Sequence, residues 1–297
     1  MKVLLFGKNG QVGWELQRAL LPLGELIALD RQGGNGLCGD LSDLYGLAST
    51  IDQVKPDVIV NAAAYTAVDK AESEPGLAHL INAEASAALA DAAEACGAWL
   101  IHYSTDYVFN GSGEQAWLET DDTAPLNIYG STKLEGEQLI QQSGCKHIIL
   151  RTSWVYAARG NNFAKTMLRL AGERDTLSVI NDQFGAPTGA ELLADVAAHI
   201  IRQAINAESV SGVYHLAADG VCTWYDYARF VLDYAAQKGR QLKVPADAVT
   251  PIATSAYPTP AQRPHNSKLN TTKLKTTFGL SLPHWQIGVT RMLDEIL

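Results

Sequence analysis

The amino-acid sequence predicts an α/β fold in which helices cover both faces of a mostly parallel sheet. Apolar runs of strand length alternate with longer helical segments, and a turn with three glycines follows the first run. Strands that are buried on both faces have this continuous apolar character. The chain has 297 residues, of which 47% are hydrophobic and 19% are charged. A chain of this length and composition can bury a core without disulfide bonds.

The predicted elements follow one another in a regular order. The first five strands are expected at Val3–Phe6, Leu26–Leu29, Val58–Ala62, Trp99–Tyr103 and His147–Leu150. Helices are expected between them, at Gly13–Leu20, Leu44–Val54, Leu77–Cys96 and Tyr129–Gln142. The alternation continues with a helix at Asn162–Arg174, a strand at Leu177–Ile180, a helix at Ala190–Ile205 and a strand at Val213–Leu216. This order predicts a doubly wound parallel sheet.

The composition changes after Ala218, which indicates a second, smaller C-terminal domain. Helices are expected at Thr223–Lys238 and Ile287–Ile296, and a segment rich in Pro, Thr and Ser, from Val249 to Ser267, lies between them. Its prolines exclude a central strand and predict an ordered loop around a ligand cleft, with a plain surface loop as the alternative. We assign residues 1–175 with 190–217 to the sheet domain, and residues 176–189 with 218–297 to the smaller domain.

Charge and cysteine content exclude several classes of partner. The formal net charge is −9 and the chain has no stripe of Lys and Arg, so a nucleic acid polymer is not an expected partner. No apolar run reaches the length of a membrane span, and no membrane partner is expected. Four widely separated cysteines without a CxxC spacing fit the reducing cytoplasm. Small anionic ligands stay compatible with this composition, because local amides can hold them.

The glycine turn is the first candidate binding site. Gly7, Gly10 and Gly13 form a G-x-x-G-x-x-G pattern between the first strand and the first helix. Glycine lets the backbone approach a pyrophosphate at a helix N-terminus, where the amides and the helix dipole favour anions. This position favours a Rossmann-type dinucleotide site over a purely structural turn.

Residues after the second strand bear on the choice of dinucleotide. Asp30 ends that strand, where a carboxylate can accept hydrogen bonds from the adenosine ribose, as in NADH. Arg31 follows and could pair with the 2′-phosphate of NADPH, so the preference stays open. Asp40 and Leu41 could flank the adenine, although Asp40 could equally cap a helix.

A tyrosine and a lysine form the candidate catalytic pair. Tyr129 and Lys133 are four residues apart on a predicted helix, so their side chains lie on one face. A nearby ammonium is expected to lower the pKa of the phenol and to make Tyr129 a better proton donor at neutral pH. Tyr234 and Lys238 have the same spacing. That second pair lies beyond the last sheet strand without a hydroxyl partner, and we interpret it as helix packing.

Longer segments carry a resemblance to a known family. The glycine turn, the hydroxyl-bearing strand end and the Tyr-x-x-x-Lys pair resemble the extended short-chain dehydrogenase/reductases. Within that superfamily, four segments resemble the dTDP-4-dehydrorhamnose reductase family: Asn61–Pro75, Arg151–Tyr156, Asn161–Phe163 and Asp182–Thr188. The resemblance covers the whole chain. It implies reduction of the 4-keto group of a dTDP-sugar by NADPH or NADH, with a Rossmann-type domain and a smaller C-terminal substrate-binding domain.

The resemblance also implies roles for individual residues. Tyr129 would protonate the sugar oxygen, Lys133 would hold the nicotinamide ribose, and Thr105 would hydrogen-bond the keto oxygen. The cofactor would also contact Gly10, Gln11, Val12, Ala64, Tyr65, Thr66 and Tyr103. The substrate would contact Asp106 and Trp154, for which a strand-end cap and a core aromatic are the alternatives, and Arg263 would bind its diphosphate, with a surface salt bridge as the alternative.

Some relatives with this resemblance are magnesium-dependent homodimers joined through glutamates. By position, the candidate Mg²⁺ ligands are Glu15, Glu191 and Glu295. Ordinary solvated helix residues are the alternative for all three, and hydride transfer itself needs no metal. Two competing functions use the same fold: a non-catalytic regulatory subunit similar to the β subunit of methionine adenosyltransferase, and a nucleotide-sugar epimerase or dehydratase.

Overall fold

The computed structural model describes the backbone of residues 1–297 and every side chain except that of Glu208. Within this description the central sheet has six strands, all parallel: β1 Lys2–Phe6, β2 Glu25–Leu29, β3 Val58–Asn61, β4 Trp99–Thr105, β5 Lys146–Thr152 and β10 Gly212–His215. Their order across the sheet is β10-β5-β4-β3-β1-β2. The chain therefore changes direction across the sheet between β1 and β3. In open α/β sheets, ligands bind at such a switch point, outside the carboxyl ends of the strands.

Six shorter strands pair outside this sheet: β6 Val155–Tyr156, β7 Ser178–Ile180, β8 Phe184–Gly185, β9 Thr188–Gly189, β11 Cys222–Thr223 and β12 Thr250–Ile252. The α-helices are α1 Gln11–Leu20, α2 Leu44–Val54, α3 Val68–Ala71, α4 Pro75–His79, α5 Ala85–Cys96, α6 Ile128–Gln142, α7 Phe163–Glu173, α8 Ala190–Ala204, α9 Trp224–Gln237, α10 Thr272–Phe278 and α11 Trp285–Ile296. No helix among the described residues is long and apolar enough to cross a membrane.

The central strands are buried on both faces, as the sequence predicts. Leu4 and Leu5 are both fully buried, and they belong to different hydrophobic clusters because successive side chains point to opposite faces. Leu16 of α1 and Leu193 of α8 cover the face of Leu5. Helices α2 and α5 supply the cluster on the opposite face. The doubly wound Rossmann-type sheet is confirmed.

A third cluster lies in the C-terminal half of the chain. Helices α7, α9 and α11 pack together around Tyr227, Trp285 and Met292. The region expected to form a smaller domain thus has a core of its own, to which α7 contributes. The proposed division of residues between the two domains stays a prediction.

The structure differs from the prediction at three elements. The helix expected at Leu77–Cys96 is divided into α4, a π-helical turn at Leu80–Glu84 and α5. Helix α10 was not predicted, since its seven residues are too few to show a clear period. The predicted strand at 177–180 lies outside the central sheet, where β7 pairs with β12. Pro251 sits in β12, an edge position that needs no N–H, while Thr250 and Ile252 make the hydrogen bonds to Leu177 and Asn181.

Candidate active site

A cavity of about 570 Å³ opens at the carboxyl ends of the central strands, at the switch point between β1 and β3. The glycine turn and the first residues of α1 form one wall. The ends of β3 and β4 and the start of α6 form another part of the lining, and two tryptophans complete it. The lining includes Gly7, Gly10, Gln11, Val12, Asn61, Ala64, Thr66, Tyr103, Thr105, Asp106, Tyr129, Lys133, Trp154 and Trp224. Most of the predicted site residues therefore meet in one cavity.

The structure requires glycine at the three positions of the turn to different degrees. Gly7 has φ +87, and a Cβ on Gly13 would lie 2.0 Å from the carbonyl oxygen of Gly7, so close packing requires both. Gly10 has an ordinary φ of −69, and its Cβ would meet the Gly7 oxygen at 3.4 Å. Gly10 precedes α1 without a side-chain cap and faces the cavity. This arrangement fits a dinucleotide diphosphate, because first-turn amides are available and no side chain blocks the approach.

A helix glycine that packing requires can be tested by substitution. Gly13→Ala is expected to lower the free energy of unfolding, although alanine normally stabilises a helix by about 1 kcal/mol relative to glycine. The matched control is Gly172→Ala near the end of α7, where a Cβ would meet nothing within 4 Å. Urea unfolding should show a loss for Gly13→Ala and a small gain for Gly172→Ala. Equal gains in both variants would contradict the packing argument.

The predicted adenosine end of the site carries mixed charges. Asp30 accepts hydrogen bonds from Asn9 Nδ2 at 2.9 Å and lies 3.3 Å from Lys8 Nζ. Arg31 Nε donates to Asp40 at 3.1 Å. Acidic and basic groups both lie at this end, so the geometry is compatible with either NADH or NADPH as the cofactor.

Neighbouring residues settle the capping question. Asp40 accepts hydrogen bonds from Ser42, while Asp43 caps α2 through Gly46 N. Leu41 is buried in the hydrophobic cluster beneath the sheet. Its side chain is therefore a packing residue, and contact of Leu41 with adenine stays a prediction.

The loop after β3 is fixed by the π-helical turn. Asn82 Oδ1 accepts from Tyr65 N at 2.9 Å, and Asn82 Nδ2 donates to Thr132 Oγ1 of α6 at 3.1 Å. Ala64 and Thr66 line the cavity on either side of Tyr65. The Tyr65 hydroxyl donates to Glu74 at 2.7 Å. The amino-acid pattern could not reveal this support, because it depends on the wider turn that orients Asn82.

Tyr129 lies at the start of α6, which Asn127 caps by accepting from Gly130 N at 2.8 Å. The Tyr129 ring makes an edge contact with Tyr107 at a centroid distance of 5.7 Å. Burial raises the pKa of Tyr129 to about 12, against a hydrogen bond with Thr105 that lowers it, and Asp106 raises it further. We predicted a lowered pKa from Lys133, and this direction is wrong for the protein without ligands. The phenol therefore stays protonated at neutral pH.

Lys133 is 2% exposed, and its Nζ faces β4. Its Nζ donates to the Tyr103 carbonyl oxygen at 2.7 Å and lies 2.9 Å from His102 Nε2. Burial lowers the pKa of Lys133 to about 8, and the Glu137 carboxylate opposes this shift. No sequence motif points to His102, since a histidine in the middle of an apolar strand looks like a core residue.

Asp106 follows β4 and is 2% exposed. Burial raises the pKa of Asp106 to about 7, although hydrogen bonds from Ser267 and Thr105 lower it. Among the described buried atoms, its Oδ2 is one of those without a hydrogen-bond partner. The strand-end cap considered for Asp106 is provided by Thr105, which accepts from Tyr107 N at 3.2 Å. Asp106 thus presents an oxygen for a ligand.

The raised pKa of Asp106 predicts a pH dependence of stability. An unfolded carboxyl titrates near pH 4, so the folded group binds a proton more tightly. Its contribution to stability is complete below about pH 4 and is lost as the pH rises through 7, by about 1.4 kcal/mol for each unit of pKa difference. Denaturant unfolding of Asp106→Asn should show a smaller fall in stability between pH 5 and pH 8 than the unmodified protein. Parallel pH curves for the two proteins would contradict the assignment.

Trp154 and Trp224 form an aromatic wall of the cavity. Their rings stack at a centroid distance of 3.6 Å, and Trp224 Nε1 donates to Gln183 Oε1 at 3.1 Å. Trp154 has φ +49, a conformation that costs energy for a residue with a side chain. A Cβ on Gly185 would lie 2.8 Å from the Trp154 ring. Trp154 is half-buried at the cavity instead of fully enclosed in the core, and Trp224 is a lining residue that the sequence analysis missed.

Arg263 lies in the proline-rich segment, and its charge already has a partner. Its Nη2 donates to Asp69 Oδ2 at 2.7 Å, and Asp69 also accepts from Ala261 N. The salt bridge considered as the alternative is what the structure shows. Arg263 would have to share or exchange this partner to bind a substrate diphosphate, so this role stays a prediction.

Comparison with known proteins places the chain in a family. The sequence model described as the RmlD substrate binding domain matches residues 1–297. The dTDP-4-dehydrorhamnose reductase of Escherichia coli strain K12 is 62% identical over 296 residues, covering 100% of this chain and 98% of that protein. This chain belongs to the dTDP-4-dehydrorhamnose reductase family.

Two solved structures of family members have the same fold. A dTDP-4-dehydrorhamnose reductase from Clostridium acetobutylicum is 37% identical, with a TM-score of 0.90 and coverage of 100% of this chain and 99% of that one. The enzyme from Bacillus anthracis, solved in complex with NADP, is 34% identical, with a TM-score of 0.86 and coverage of 99% of both chains.

The three glutamates implied as metal ligands in this family lie together, away from the cofactor cavity. Glu15, Glu191 and Glu295 line a second cavity of about 360 Å³. Arg291 Nη2 lies 2.8 Å from Glu191, and Arg18 Nε lies 3.5 Å from Glu15. No group of three or more His, Cys, Asp and Glu side chains that could hold a metal occurs in the described part of the chain. Within a single chain, guanidinium groups therefore pair with Glu15 and Glu191, and Mg²⁺ binding by the three glutamates stays a prediction.

Proposed function

We propose that this chain reduces the 4-keto group of dTDP-4-dehydro-L-rhamnose to give dTDP-L-rhamnose, the final step of dTDP-L-rhamnose biosynthesis. One observation carries the proposal: Tyr129, Thr105 and Lys133 line the same cavity as the glycine turn. A proton donor and a dinucleotide site thus share one space. The identity of 62% to a dTDP-4-dehydrorhamnose reductase over the whole chain supports the same substrate.

The chain's own residues supply binding and proton transfer. NADPH or NADH supplies the hydride when bound, and Gly10, Gln11 and Val12 at the start of α1 would hold its diphosphate. Tyr129 gives its proton to the substrate O4 as negative charge develops there. Its raised pKa keeps the phenol protonated at neutral pH. Thr105 lines the same cavity and would hydrogen-bond the keto oxygen.

The remaining cavity residues bind the sugar and exclude water. Asp106 offers its Oδ2 to a sugar hydroxyl, and the indole of Trp154 provides an apolar face. Lys133, which also lines the cavity, would hold the nicotinamide ribose. Cytoplasmic localisation, a homodimer and Mg²⁺ binding are further predictions that follow from the family alone.

An assay with both cofactors tests the proposal. Purified protein should consume NADPH or NADH, seen as loss of absorbance, when dTDP-4-dehydro-L-rhamnose is added, and a chelator should leave the rate unchanged. A regulatory subunit would bind a dinucleotide and turn nothing over. An epimerase or dehydratase would carry tightly bound NAD⁺ and consume no reduced cofactor. Either of these two results would overturn the reductase assignment.

A further inference from the structure

A buried chain of hydrogen bonds joins β3, β4 and α6 beside the cavity. Asn61 and His102 are register partners on neighbouring strands, and both are 1% exposed. Asn61 Nδ2 lies 3.2 Å from His102 Nδ1, and His102 Nε2 lies 2.9 Å from Lys133 Nζ. The lysine then donates to the Tyr103 carbonyl oxygen. Each hydrogen bond restricts which atom can donate in the next one. The donor and the acceptor of every hydrogen bond in the series can therefore be derived.

The backbone N–H of Ala63 fixes which atoms donate and which accept in these hydrogen bonds. Its N–H lies 3.2 Å from Asn61 Oδ1, and a backbone N–H can only donate. The amide oxygen of Asn61 is therefore committed to Ala63, and its NH₂ group faces the imidazole. His102 Nδ1 must accept this hydrogen bond. In a neutral imidazole the other ring nitrogen, Nε2, then carries the hydrogen.

The imidazole is neutral in this environment. Burial holds the pKa of His102 well below its usual range, and Lys133 lowers that pKa further whenever it is charged. The Nε2–H consequently points at Lys133 Nζ. An ammonium has three N–H donors and no acceptor, whereas an amine has a lone pair that can accept.

We propose that His102 is a positioning residue that donates from Nε2 to Lys133 Nζ and so favours the amine over the ammonium. An ammonium would require the opposite tautomer, which places the His102 Nδ1–H against the NH₂ group of Asn61. Buried donors that face each other are costly. The proposal rests on the role given to Lys133 under the proposed function.

Other groups around Lys133 also affect the balance between its ammonium and amine forms. Glu137, one turn along α6, favours the ammonium. Its carboxylate is itself paired with Arg151 of β5 through Nη2 at 2.6 Å, which moderates that effect. Tyr129 shares the cavity wall, and Tyr103 offers a carbonyl oxygen that either form of Lys133 can use. His102 is thus the neighbour whose hydrogen bond distinguishes the two forms.

The consequence concerns how Tyr129 recovers its proton. After Tyr129 has protonated the substrate oxygen, a proton from solvent must reach the phenolate, and Lys133 can carry it by taking it up on Nζ and passing it on. His102 would set the pH above which too little ammonium is present for this transfer. Turnover should therefore have an alkaline limb controlled by a residue that touches neither the substrate nor the cofactor.

The first test reads the tautomer directly and needs no turnover. Nitrogen-15 NMR of the unmodified protein at pH 9, where Lys133 is mostly the amine, should show the His102 ring neutral with Nε2 protonated. The His102 signals are identified by their loss in His102→Gln. Protonation on Nδ1, or a positively charged ring, would overturn the proposal whether or not the protein reduces a keto-sugar.

The second test measures the alkaline limb of kcat. In His102→Gln the side-chain amide can turn its oxygen toward Lys133, so the ammonium is no longer disfavoured. The limb should move to higher pH by about one unit. The matched control is His215→Gln, which removes another buried imidazole from the same sheet, at β10, and should leave the limb in place. An unmoved or lowered limb in His102→Gln would contradict the proposal, even where kcat itself falls.

Discussion

Replacing Tyr129 by phenylalanine is expected to lower kcat by about 10²–10⁴-fold, the usual contribution of a positioned proton donor. The ring can stay in its edge contact with Tyr107, at 5.7 Å between centroids, so the cavity should keep its shape. Dinucleotide binding should change little, because the glycine turn proposed to hold the diphosphate is unaltered. Steady-state kinetics together with cofactor titration by fluorescence measure both effects.

Tyr107→Phe is the matched control for this substitution. It removes a hydroxyl from the ring that packs against Tyr129 and leaves the proposed proton donor intact. Its kcat should fall much less than that of Tyr129→Phe. Comparable losses in the two variants would show that the cavity depends on hydroxyl groups in general, and would remove the special role of Tyr129.

The largest expected effect on stability concerns the buried ion pair behind the catalytic helix. Arg151 Nε and Nη2 both donate to Glu137, at distances from 2.6 to 3.1 Å, and the two side chains are 5% and 0% exposed. Arg151→Met would leave the Glu137 carboxylate buried without its cation. We expect the free energy of unfolding to fall by about 3–5 kcal/mol.

The double variant Glu137→Leu with Arg151→Met separates the two causes of this loss. It removes both charges, so most of the stability should return, since buried pairs contribute little beyond their own desolvation. Denaturant unfolding of the three proteins provides the comparison. A single variant that loses less than about 1 kcal/mol would show that water or another group compensates the carboxylate.

The parts of the site that could be predicted are those with local sequence patterns. The glycine turn and the Tyr129–Lys133 spacing each lie within a few residues, and one strand or one helix fixes their geometry. Their meeting at one edge also follows from the parallel order of the strands. The fold and the proposed reaction were predicted from these features.

The parts that could not be predicted depend on contacts between distant segments. The link from Asn61 to His102 requires the register of β3 on β4, which no short pattern states. The partner of Arg263 is Asp69, 194 positions away. The pKa of Tyr129 follows from its burial, which outweighs the expected influence of Lys133.

Isotope transfer tests the central claim most directly. With reduced cofactor carrying deuterium at the transferable position of nicotinamide C4, the product dTDP-L-rhamnose should contain one deuterium, at C4 of the sugar, as read by NMR and mass spectrometry. A product without deuterium, or with deuterium at another carbon, would contradict reduction of the 4-keto group by this chain.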